Sequence, residues 1–153
     1  MFDLIDIMTT DVYTLAPEDS LQDARKLMAE HNIRHIPVVD EDQRLKGLLS
    51  QRDVLAGADS VLLPHAEEAE VIESRITISS LMTLDAITTD EHSSLRGAAL
   101  RMQHHRIGCL PVVRDGILIG IITDSDFVAV AINLMEQLEL VEPEETDILE
   151  DIG

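Results

Sequence analysis

The sequence repeats itself. Ile7-Met8-Thr9-Thr10-Asp11 returns as Leu81-Met82-Thr83-Leu84-Asp85, an offset of 74 residues (82 − 8). In the same register Ser20-Leu21 returns as Ser94-Leu95, Met28 as Met102, and His31-Asn32-Ile33 as His105-Arg106-Ile107. Ile36-Pro37-Val38-Val39 returns as Leu110-Pro111-Val112-Val113. One residue is then lost in a polar turn, where deletions cost little. Beyond it Gly47-Leu48-Leu49-Ser50 matches Gly120-Ile121-Ile122-Thr123, and Asp53 matches Asp126. A period of this length means one supersecondary unit used twice. One copy is too small to bury its sheet well, so two copies packed sheet against sheet about a pseudo-twofold axis would share a core.

Each copy predicts strand, helix, strand, strand, helix, giving an α+β fold. In the first copy residues 12–15 read as a short strand and residues 17–20 as a turn. Ser20 is the expected N-cap of a helix with Asp23 at N3, and Leu21, Ala24, Leu27 and Met28 form its apolar stripe. Residues 36–39 and 45–50 read as a hairpin around an acidic turn, followed by a helix from near Gln51. The second copy repeats this with a strand at 86–89, a helix at 95–105, strands at 109–113 and 117–123, and a long helix from Asp124 to about Leu140. The boundaries that follow are 1–62 for the first copy, 63–75 for a connector and 76–140 for the second copy. An acidic tail, 141–153, follows Pro143, which should stop any helix, and from Glu136 onward there are acids and no bases.

Composition narrows the function. Hydrophobic residues make up 45% of the 153, but aromatics only 2%, so the core must be aliphatic. The net charge of −19 and the scarcity of aromatics argue against nucleic acid, whose phosphates need clustered cations and whose bases need stacking platforms. The same charge opposes anionic ligands at long range, so a bound nucleotide needs local cations or a magnesium ion. The longest apolar run, residues 116–122, is strand-sized, and the start shows no signal-peptide pattern. With a single cysteine, Cys109, a cytoplasmic protein without membrane segments is expected.

The most specific pattern is Gly47-x-x-Ser50-x-x-Asp53 with Gly120-x-x-Thr123-x-x-Asp126. It reads as a helix cap, with Ser or Thr at N-cap and Asp at N3. It also reads as a ribose site, since a carboxylate can accept hydrogen bonds from vicinal hydroxyls while the Ser or Thr lies near phosphate at a helix N-terminus. In that second reading the glycine lets the ligand approach the strand closely. His31, His35, His104 and His105 invite a metal reading, but no nearby Cys or carboxylate completes a ligand set, so no metal is expected. Cys109 reads as inert core packing, and no nucleophile–base set or Gly-rich phosphate loop is visible, so no enzyme is expected. In the last helix Phe127, Val128, Val130, Ala131, Leu134, Met135 and Leu138 make a stripe wider than one internal face needs, which fits core packing or a dimer contact.

Met-Thr before the first strand, Ser-Leu opening the first helix, the apolar-Pro-Val-Val strand, and Gly-x-x-Ser/Thr-x-x-Asp all occur twice and in order. Together these marks resemble the cystathionine-β-synthase (CBS) domain, as a stand-alone tandem pair or Bateman module covering about residues 4–138. The resemblance implies two βαββα repeats with AMP, ADP, ATP or S-adenosylmethionine bound between them, and a homodimer. It further implies clefts that join the ribose Asp of one repeat to the base pocket of the other. Thr123 and Asp126 would then face Val12, Tyr13, Ile33, Arg34 and His35. Ser50 and Asp53 would face Ala86, Ile87, Ile107, Gly108 and Cys109. Both base pockets are expected to be aliphatic, so the clefts should differ in phosphate recognition, where Arg34-His35 has only Gly108-Cys109 as counterpart. The Asp126 cleft is the stronger expectation. The expected function is a nucleotide-sensing regulatory module acting on an unidentified effector protein; the alternative is an interaction module with degenerate clefts.

Overall fold

The computed structural model describes residues 3–59 and 66–141. The chain divides into two compact units, residues 1–122 and 123–153.

In the first unit a short helix α1 (Leu4–Ile7) precedes α2 (Leu21–His31). The expected capping box is present: Asp23 N–H donates to Ser20 Oγ at 3.1 Å and Ser20 N–H donates to Asp23 Oδ2 at 3.0 Å. α2 ends on Asn32, whose φ of 52° is the left-handed conformation of a helix C-terminus. Strands β1 (His35–Val39) and β2 (Leu45–Ser50) form the expected hairpin, pairing His35 with Ser50 and Pro37 with Leu48. Helix α3 (Gln51–Asp59) follows directly. In the second copy α5 (Leu95–His105), β4 (Cys109–Arg114) and β5 (Ile117–Thr123) lie where the repeat put them. The second unit carries α6 (Asp124–Val141).

Two expectations need correction. Residues 12–15 do not form a strand: only Leu15 bridges β1, donating to Pro37 O at 3.2 Å and accepting from Val39 N–H at 2.9 Å. In the second copy the strand is β3 (Thr89–Asp90), paired in parallel with Val112 and Val113, not residues 86–89. The cause lies in the prolines. A parallel ladder continued backwards would take its next donor from residue 37 or 111, and proline has no N–H. The connector, to which no element was assigned from sequence, contains α4 (Ala66–Glu73), a run without Gly or Pro. Glu73, 6% exposed, receives Arg25 of α2 at 2.6 Å. The start of the connector and the acidic tail beyond Val141 lie outside the described residues.

One core cluster gathers Leu15, Leu21, Ala24, Met28, Ile36, Val38, Leu49 and Val54 with Ile78 from a 3-10 turn at Ile78–Ser80. Ile78 comes from the start of the second copy, so that core is completed by the other repeat. Leu4, its counterpart, is equally buried. Backbone pairing shows the exchange directly. Thr83 exchanges both hydrogen bonds with Leu48, and Thr9 does the same with Ile121. Asp3 bridges Ser94, and Ser20 bridges Thr77. Each pair maps onto the other when the copies are swapped. The remaining cross-repeat bridge, Arg44 with Ile117, maps onto itself and marks the pseudo-twofold axis.

Candidate functional site

Ser50 closes β2 and caps α3. Its N–H and its hydroxyl both donate to Asp53 Oδ2 at 2.8 Å, and Asp53 N–H donates back to Ser50 Oγ at 3.2 Å. In the second unit Thr123 N–H donates to Asp126 Oδ2 at 2.8 Å, with the Thr123 hydroxyl at 3.3 Å from the same oxygen. The capping reading is therefore complete in the first copy, and in the second Asp126 supplies its half of the box. It does not use up the carboxylates. All these bonds fall on Oδ2, so each Oδ1 has no hydrogen-bond partner among the described residues. All four residues are half-buried. A carboxylate held by one oxygen in a capping box presents the other in a fixed direction, as recognition of a hydroxyl pair requires.

The glycine of this motif has a different role from the expected one. A Cβ on Gly47 would lie 2.7 Å from Met82 Sδ and 2.8 Å from Thr83 O; on Gly120 it would lie 2.6 Å from Met8 Sδ and 3.0 Å from Thr9 O. The close approach is made by the Met-Thr segment of the other repeat, not by a ligand. Two motifs that the sequence left separate thus pack on each other. Val12 and Tyr13 follow soon after Thr9 in the chain, and Ala86 and Ile87 soon after Thr83.

In the first copy Val12 and Ile33 are half-buried, and Arg34 and Tyr13 are exposed. Arg34 O accepts the Gln51 N–H at 2.8 Å, and its guanidinium has no partner among the described residues. His35 is half-buried and pairs across the hairpin with Ser50. In the second copy Ala86, Ile87, Ile107 and Gly108 are half-buried. Cys109 is buried, as expected for packing. Thr123 and Asp126 belong to the second compact unit, and the residues expected to face them to the first. Aromatic side chains meet in the first copy, among residues that the expectation treated as aliphatic. Tyr13 stacks on His31 with ring centroids 3.8 Å apart and planes at 18°. A tyrosine and a histidine at this separation were visible in the sequence, but nothing local showed that an irregular segment would fold onto the end of α2.

Two concavities among the described residues lie elsewhere. One of about 580 Å³ is lined by Thr89, Ser93, Ser94, Gly97 and Arg101 beside α5, and one of about 510 Å³ lies between α2 and α4. Neither includes an expected site residue. The repeated, oriented carboxylates carry more chemical information than concavity alone. Among the described residues no group of three His, Cys, Asp or Glu could hold a metal, and no helix is long and apolar enough to cross a membrane.

The CBS-domain family model matches residues 4–59 and 78–133. The chain is similar to a protein described as acetoin utilization protein AcuB of Vibrio cholerae, with 41% identity, TM-score 0.75, and coverage of 91% of this chain and 96% of that one. It is similar to CBSX2 in complex with AMP, with 28% identity, TM-score 0.73, and coverage of 88% and 99%. It is also similar to the CBS domain pair of MJ0100 in complex with 5-methylthioadenosine and S-adenosylmethionine, with 27% identity, TM-score 0.70, and coverage of 85% and 95%.

Proposed function

The chain belongs to the CBS-domain family, and on that premise we propose that it is a regulatory module that binds an adenosine-containing ligand and performs no chemistry of its own. The observation that carries the reading is the duplicated carboxylate, fixed through Oδ2 with Oδ1 open, at Asp53 and at Asp126. Vicinal ribose hydroxyls are its natural donors. Structural neighbours hold AMP, 5-methylthioadenosine and S-adenosylmethionine, ligands that share adenosine and differ at the 5′ end. Ser50 and Thr123 supply hydroxyls at helix N-termini, where phosphate is favoured. Val12, Tyr13, Ile33, Arg34 and His35 form one base and phosphate wall; Ala86, Ile87, Ile107 and Gly108 form the other. Magnesium would accompany a di- or triphosphate in so acidic a chain. Ligand binding would act by differing in affinity between two arrangements of the module, read by an effector protein.

Thermal unfolding with AMP, ADP, ATP and S-adenosylmethionine tests this. At a ligand concentration 100 times Kd, linkage adds about 2.7 kcal/mol. At about 2–4 °C per kcal/mol that raises the melting temperature by roughly 5–10 °C. No shift with any adenosine compound at millimolar concentration would transfer the assignment to an interaction module with degenerate clefts.

A further inference from the structure

We propose that Tyr13 and His31 form a stacking platform for the ligand's base, with His31 acting as a positioning residue that holds the Tyr13 ring. The proposal rests on the adenosine-binding reading and names the group that recognises the base. The two rings lie 3.8 Å apart and nearly parallel, at 18°. His31 covers one face of the Tyr13 ring, and Tyr13 as a whole remains 46% exposed.

The backbone fixes the platform from both sides. His31 is the last residue of α2, and the left-handed Asn32 turns the chain away immediately after it. Leu15 is pinned to β1 by hydrogen bonds with Pro37 and Val39. Because Pro37 offers no N–H, the carbonyl of Tyr13 is not drawn into the ladder, and Tyr13 is released from strand geometry. Its ring can therefore lie over the end of α2. Aromatic faces attract any nucleobase by stacking and offer nothing comparable to a sugar phosphate. The second repeat places Ile87 where the first has Tyr13, and its His105 meets His104 edge-on at 5.0 Å. The platform thus belongs to one base pocket only and makes that pocket the base-selective one.

The chain contains one tyrosine and no tryptophan, so tyrosine emission reports this place alone. Emission is titrated with AMP, adenosine and ribose 5-phosphate, with calorimetry in parallel. AMP and adenosine should change the emission saturably, and ribose 5-phosphate should not. Tyr13→Ala should weaken AMP about tenfold, from the loss of base stacking. His31→Ala should weaken AMP by roughly threefold to fivefold, and His31→Phe should restore it, since a flat ring suffices. Ribose 5-phosphate should bind all variants alike. Both side chains are exposed, and the melting temperature of each unliganded variant should match the unmodified chain. Calorimetric AMP binding with unchanged tyrosine emission, or with equal affinity in Tyr13→Ala and His31→Ala, overturns the platform and leaves the nucleotide reading standing. No heat and no melting shift with any adenosine compound overturns both.

Discussion

At the scale of single residues, Gly47 and Gly120 are the most exacting positions in the chain. A methyl group at either would press on a methionine sulfur, which can move, and on a backbone carbonyl, which cannot. Gly47→Ala and Gly120→Ala should each destabilise by about 1–3 kcal/mol, seen as a lower denaturant midpoint with little change in slope. The same substitution at Gly97, whose added Cβ would meet only the Ser94 hydroxyl at 3.0 Å within a helix, should be neutral or stabilising. The repeat made both glycines legible as equivalent, but not their purpose, because the atoms they accommodate belong to the other copy. Asp53 and Asp126 were legible in type and position. What the sequence could not show was that capping falls on Oδ2 alone and leaves Oδ1 without a partner among the described residues.

At the scale of elements, the caps were read correctly wherever the signal was local: Ser20 with Asp23, Ser50 with Asp53, and Ser94, which accepts the Gly97 N–H at 2.9 Å. The strands at residues 12–15 and 86–89 were misread because β-propensity does not register a missing donor on the partner strand. Helix α4 was missed because its acidic run looked like a linker, and its anchor Arg25 is distant in sequence. Glu73→Ala should therefore cost about 1 kcal/mol, measured by chemical denaturation, since Arg25 is half-exposed and water recovers part of the loss. The hairpin turn between β1 and β2 depends on Asp40, which accepts the N–H groups of Asp42 and Arg44. The Arg44 backbone bond is the main cause of its lowered pKa, with Lys46 nearby also favouring the charge. A carboxyl with a lowered folded pKa contributes stability above its unfolded value, near 3.9, and loses it as pH falls through the folded value. Glu91, held low by Arg114, acts in the same direction. Acid titration below about pH 4 should lower the melting temperature, and Asp40→Asn should flatten part of that dependence. On α6, Val128, Ile132, Leu134, Met135 and Leu138 are 45–65% exposed. If this stripe seats a second copy, light scattering should give about twice 17.0 kDa, and Leu134→Glu with Leu138→Glu should give a monomer. A monomer at tens of micromolar before any substitution would remove that reading.

At the scale of the whole molecule, the two copies carry the same helix and hairpin and differ in the side chains at matched positions. Tyr13, His31 and Arg34 have Ile87, His105 and Gly108 as counterparts, so the stacked ring pair and a guanidinium without a partner among the described residues both fall to the first copy. A charge-assisted hydrogen bond changes affinity by about tenfold to a hundredfold. Calorimetry should therefore find one dominant AMP site per chain. Asp126→Ala should abolish it, Arg34→Ala should weaken AMP more than adenosine, and Asp53→Ala should matter less. Loss of the tight site in Asp53→Ala alone would reverse the assignment. The duplication, the family and the helix, hairpin and helix of each copy could be read from the chain because they are written as periodicity. The exchange between copies could not, because it joins residues far apart in sequence. That exchange has a consequence for ancestry. A lone repeat could satisfy the same pairings only by trading its opening segment with an identical molecule across a twofold axis, and Arg44 and Ile117 still meet on the intramolecular form of that axis. Joining two such genes replaces an encounter between molecules with one inside a chain and fixes partnership by covalent linkage. It also frees each half to mutate alone, which is how a symmetric ancestor could come to hold two unlike pockets.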